Sequence, residues 1–185
     1  MRGIVAALTL LLLSSPHAWA LTVAGVDVPP AASVSGKTLS LNGAGVRTKF
    51  FVKVYVGALY AERKVSSADE LLRDPGEKLV RMRFVHRKVE KEKIVDAFAE
   101  GLAKNSPEAA RSAEAKAFLS WFPQDFVAGD TVDVAISPDG TVSATHNGRT
   151  LGTLRSPALA RAVLRIWFGE KPADEGLKRG MLGRD

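Results

Sequence analysis

Between Gly43 and Glu62 side chains alternate so regularly that the regular element this stretch can form is a long β-strand. One parity reads Thr48, Phe50, Val52, Val54, Val56, Ala58 and Tyr60; the other reads Arg47, Lys49, Phe51, Lys53, Tyr55, Gly57 and Leu59. The first set is apolar enough to lie beneath helices. The second mixes cations, aromatics and a glycine, as a ligand-facing or wetted surface does. Function is therefore expected on that second face.

The segments around this strand set the fold class. Leu21 to Val28 alternates weakly and stops at Pro29-Pro30, which predicts an edge strand of the same sheet. Lys37 to Leu41 predicts a short strand, and Asn42-Gly43-Ala44-Gly45 a turn into the central one. The Gly-x-Gly pair lacks a third glycine and a following helix, so it is no dinucleotide loop. Ser67 opens a short capped helix that ends near Asp74-Pro75-Gly76. Leu79 to His86 predicts a strand with Val80, Met82 and Phe84 on one side and Arg81 and Arg83 on the other. Those arginines either join Arg47, Lys49 and Lys53 or face solvent.

Ile94, Ala97, Phe98, Gly101 and Leu102 form the apolar stripe of a helix over residues 90–105, and Ser106-Pro107 starts another helix that runs to Phe122. From Thr131 the period returns to two, with turns at Asp139-Gly140 and Asn147-Gly148, which predicts a three-stranded meander. Ser156-Pro157 opens a further helix, and Pro172 begins a last one to about Met181. The whole reads as an α+β domain, an antiparallel sheet with helices packed on one face. The other face is either open to water or roofed into a cleft.

Arg2, the apolar run Ile4–Leu13 and Ala18-Trp19-Ala20 have the order of a secretory signal cut after Ala20, which makes residues 1–20 a signal peptide and 21–185 a single domain. In a bacterium this predicts a periplasmic protein. The run is shorter than the roughly 20 residues a spanning helix needs, and no later stretch is long enough, so no transmembrane segment is expected after cleavage. The chain has no cysteine, which removes disulfides, thiol nucleophiles and cysteine metal sites. The formal net charge of +6 is not gathered into basic runs, which argues against nucleic acid. It either favours acidic lipids and anionic small molecules or serves solubility. His86 and His146 are isolated from other histidines and there is no Gly-x-Ser-x-Gly elbow, so neither a metal, a cofactor nor serine-hydrolase chemistry is expected.

Arg47 and Tyr55 remain. A guanidinium can clasp a carboxylate or enolate with two parallel donors, and a tyrosine hydroxyl can add a third. On one extended strand the two lie roughly 26 Å apart. They share a small anion only if the chain bends, so a long amphiphile is the easier ligand.

Gly43-Ala44-Gly45-Val46-Arg47, followed by Phe51 to Tyr60, resembles the core of the chalcone isomerase family. Ser137 to Gly140, Ala160 to Gly169 and Leu177-Lys178 add to the likeness, which covers nearly all of residues 21–185 and looks most like the exported bacterial branch of chalcone isomerase-like proteins. The resemblance implies an open-faced antiparallel sheet with helices on one side and a cleft on the other. It places Arg47 where plant chalcone isomerases have the arginine that steers phenolate attack on an enone. Of the helpers used there, Tyr55 stands for a threonine, Ile166 for a terminal-helix threonine or serine, and Lys104 to Ala110 offers no tyrosine. Other members of the superfamily bind fatty acids through the same arginine. The resemblance thus implies a non-catalytic protein that takes a small amphiphilic or carboxylated ligand, with Arg47, Tyr55, Phe51, Leu59 and Lys53 along the groove. Two alternatives stand beside it. One is an isomerase or intramolecular lyase acting on an enone, with Arg47 as electrophile and Tyr55 as proton donor. The other is an interaction module that docks through its basic face.

Overall fold

The computed structural model describes residues 21–184; the expected signal peptide lies outside the described residues. The chain begins with β1 (Leu21–Val23), β2 (Val26–Val28), β3 (Ala31–Val34), β4 (Lys37–Lys49) and β5 (Val52–Ala61), and continues through α1 (Ala68–Arg73), β6 (Lys78–Phe84) and β7 (Lys88–Val89). Three helices follow, α2 (Lys91–Asn105), α3 (Pro107–Ala110) and α4 (Ala113–Ser120). Then come β8 (Phe126–Val127), the meander β9 (Thr131–Ile136), β10 (Thr141–His146) and β11 (Arg149–Arg155), and finally α5 (Pro157–Phe168) and α6 (Glu175–Met181). Seven strands form one antiparallel sheet in the order β11-β10-β9-β6-β5-β4-β3. The α+β class and the meander are as the sequence predicts.

The central alternation is not one strand. It breaks at Phe50-Phe51, where both residues take positive φ, and β5 folds back along β4 as a hairpin. Upstream, no turn forms at Asn42–Gly45: β4 runs through it for thirteen residues. These glycines serve close approach instead. A Cβ on Gly43 would lie 2.2 Å from the Gly180 carbonyl oxygen, and one on Gly45 would lie 3.1 Å from Leu177 Cα. Helix α6 therefore rests on the strand backbone itself. It starts at Glu175 rather than Pro172, because Asp174 is the N-cap and accepts from Leu177 N at 2.9 Å.

Other differences have local causes. β1 and β2 pair with each other as a separate hairpin instead of extending the sheet. The helix expected from Ser106 to Phe122 is divided, since the Ser112 hydroxyl accepts from Ala115 N and caps α4 afresh. From Tyr55 to Tyr60 the two parities of β5 are also exchanged relative to expectation. Leu59, Val80, Met82 and Phe84 meet Phe98, Leu102, Phe118 and Trp167 beneath the helices, whereas Val56, Ala58 and Tyr60 turn the other way, toward Val28, Ala32 and Leu39.

The glycine seat of α6 yields a graded test. Gly43→Ala forces a Cβ against helix backbone that cannot swing aside, and is expected to cost about 3 kcal/mol and lower the unfolding midpoint by roughly 5–10 °C. Gly45→Ala, whose Cβ would still press on Leu177 backbone but from 3.1 Å rather than 2.2 Å, should cost clearly less. Thermal denaturation of the two variants with equal midpoints would contradict this seating.

Candidate functional site

The hairpin end of β4 and β5 builds the site. Arg47 and Tyr55 are direct cross-strand partners, yet the next pair is Thr48 with Lys53, so Val54 is an extra, bulged residue on β5. A bulge reverses side-chain parity beyond it. Val54 packs against the helix-side core, and Val52 and Val54 wall the same cleft as Arg47, while Lys53 between them is exposed. The Thr48 amide next to the bulge donates to Asp174 Oδ2 at 3.0 Å, so the residue that caps α6 also fixes the strand beside Arg47.

The cleft measures about 500 Å³ and lies between the hairpin, β7 and α2, on the helix side of the sheet and not on the opposite side. Its inner part is the buried Arg47, Val89 and Ile94 with the half-buried Val54 and Ala97; its exposed part carries Lys49, Phe50, Val52, His86, Lys88, Glu90 and Lys93. That volume falls within the range of about 300–1,000 Å³ usual for small-molecule sites.

Arg47 is the feature that needs a partner. Its residue is 8% exposed, its buried Nη1 has no hydrogen-bond partner, and no carboxylate among the described residues stands within ion-pair distance. A buried donor left unmade costs about 1–3 kcal/mol, more when charged. Behind it, the Tyr55 hydroxyl accepts from Trp167 Nε1 at 3.0 Å, which ties the site to α5. Burial pushes the Tyr55 phenol above its ordinary value, against the opposing pull of the nearby Arg47 guanidinium. Tyr55 therefore stays neutral and keeps its proton, for which no acceptor is present among the described residues.

The predicted site residues end in different places. Arg47 lines the cleft, and Tyr55 stands buried directly across from it. The hairpin brings these two together, which a single extended strand would have kept apart. Leu59 lies deep in the core, Lys53 is exposed across the bulge, and Phe51 projects from the hairpin tip; none of the three walls the cleft. Arg81 and Arg83 do not join Arg47. They line a hollow of about 750 Å³ on the opposite face, where Arg81 is held by Asp133 at 2.8 and 2.7 Å and Arg83 donates to Thr131. Sequence reasoning missed Val52, Val54, Val89, Ile94 and Ala97 as cleft walls, and Trp167 as the partner of Tyr55. The apolar stripe of α2 already contained Ile94 and Ala97. No group of three or more His, Asp or Glu side chains suited to a metal occurs among the described residues.

Residues 20–183 match a family model described as chalcone isomerase-like. The chain is also similar to fatty-acid-binding protein 1 of Arabidopsis thaliana, with 24% identity over 143 residues that cover 71% of this chain and 51% of that protein. It thus spans about half the length of that curated relative. Among solved structures, a fatty-acid-binding protein from Arabidopsis thaliana superposes with a TM-score of 0.69 at 20% identity, covering 85% of this chain and 92% of that one. At that identity the likeness concerns the fold.

The unpaired guanidinium makes a prediction that separates function from folding. Arg47→Met removes a buried charge and keeps an apolar stem, so the ligand-free protein should be as stable as before or more stable by about 1–3 kcal/mol. Urea unfolding of ligand-free protein reads this. A loss of stability above about 1 kcal/mol would mean that Arg47 has a structural partner.

Proposed function

This chain belongs to the chalcone isomerase-like family, and from that premise we propose that it binds a carboxylated apolar molecule such as a fatty acid without transforming it. The observation that carries the reading is the buried, partnerless Nη1 of Arg47 beside an apolar cleft. An acyl carboxylate would supply the missing acceptor, and its tail would replace water along Val52, Val54, Val89, Ile94 and Ala97. The neutral Tyr55 hydroxyl, near the Arg47 guanidinium and with Trp167 holding its oxygen, would donate to the same head group. Lys49 and Lys93 at the exposed part would draw an anion inward. The relatives named as fatty-acid-binding proteins support the ligand class.

One observation favours an isomerase instead, since Tyr55 faces Arg47 as an acid–electrophile pair would. Its burial weighs the other way. A proton donor works best with a pKa near the operating pH, and this phenol is driven away from it. The remaining element of the proposal is location: cleavage after Ala20 and residence in the periplasm, supported by the charge and hydropathy order of the first twenty residues.

Native mass spectrometry of protein purified from its own host tests both. Wild-type protein should carry a fatty-acid adduct that Arg47→Ala lacks, on a polypeptide whose mass begins at Leu21. Equal adducts on both proteins would overturn the clasp, and a mass that includes Met1 to Ala20 would overturn the export.

A further inference from the structure

Four two-residue hairpins among the described residues turn with both φ angles positive: Ala24-Gly25 (49° and 81°), Ser35-Gly36 (50° and 80°), Asn147-Gly148 (49° and 79°) and Phe50-Phe51 (49° and 66°). Three put glycine second, where a Cβ is unwelcome, and one uses Asn-Gly, the pair best suited to this turn. The fourth puts phenylalanine at both positions. Bulky residues in this region are strained.

Nothing inside the fold rewards that strain. Phe50 is 86% and Phe51 101% exposed, and the adjoining Val52 is exposed as well. Large rings at a projecting tip mark a contact surface. The tip is also cationic. Lys49 and Lys53 flank it, Lys49 Nζ lies 5.9 Å from the Phe50 ring centroid, and neither lysine enters an ion pair among the described residues.

We infer that the Phe50-Phe51 hairpin tip inserts into the interfacial layer of an anionic lipid bilayer, with Lys49 and Lys53 resting on its acidic head groups. Adjacent rings flanked by lysines match the layered chemistry of such a surface, apolar below and negative above. A narrow convex tip enters a fluid layer without needing a preformed pocket. Insertion also has a geometric consequence. Lys49, Phe50 and Val52 belong to the cleft wall, so a docked tip sets the cleft mouth at the lipid surface, where an amphiphile can pass in without its tail crossing water. That last step rests on the proposed ligand; the docking does not.

Flotation with vesicles tests it, comparing equimolar phosphatidylcholine and phosphatidylglycerol with phosphatidylcholine alone. The wild-type chain should float with the anionic vesicles only, and less as salt is raised. Phe51→Gly, which gives this turn the glycine that the other three have and leaves the cleft walls intact, should weaken vesicle binding by about tenfold or more. It should also raise the unfolding midpoint and leave fatty-acid binding in solution unchanged. Phe51→Trp should retain flotation and shift its emission to the blue on anionic vesicles. The proposal is overturned if the wild type does not float, if Phe51→Gly floats equally, or if the wild type is a dimer that Phe51→Gly splits. Fatty-acid adducts without flotation would leave the ligand reading standing alone, and flotation without adducts would do the reverse.

Discussion

The close seat of α6 on glycine backbone is the contact from which the rest of the site is set out. With no Cβ at Gly43 and Gly45, the helix lies against β4 itself, and its cap Asp174 reaches Thr48 N. That bond anchors the strand at the position where pairing slips past Val54. The slip turns Val52 and Val54 to the side of Arg47 and opens a cleft under α2. A helix displaced outward by one methyl group would lose the anchor, then the register, then the cleft wall.

Within that frame Arg47 is treated unlike the other well-placed cations. Arg81 has a two-bond clasp on Asp133, Arg155 reaches Asp139, and Lys78 is held by Asp74 and nearby carbonyls. Arg47 is buried with an empty donor. A protein selected for stability alone would fill or remove such a group, since proteins tolerate unpaired buried donors chiefly where function uses them. The Tyr55–Trp167 bond is the complementary half: it fixes a hydroxyl near the guanidinium while leaving its proton to give.

Elements whose signals are local were legible in the sequence. The stripe of α2, the Ser67 and Ser156 caps, and the Asp-Gly and Asn-Gly turns of the meander are each decided by a few neighbouring residues. Arg47 was singled out through the resemblance of Gly43 to Arg47 to the chalcone isomerase family, and it lines the cleft. The hairpin at Phe50-Phe51 was not, because phenylalanine is a poor residue for a positive φ and an unbroken alternation passes through it. Nor was the bulge, since the residues at Val54 look the same whether or not the partner strand slips; yet it decides which side chains share a wall. The glycines of β4 read as a turn because the helix that needs their missing Cβ atoms lies more than 130 residues further on. Tertiary contact, which leaves no local trace, accounts for each of these.

The contact proposed for the ligand is between its carboxylate and the Arg47 guanidinium. Titration of a fatty acid carrying a ¹³C-labelled carboxyl group, followed by NMR while bound, reads that contact directly. A carboxylate beside a buried guanidinium should titrate about one to three units below its free value. A bound carboxyl group that titrates at or above its free value would sit in the cleft without the clasp, and would contradict the account.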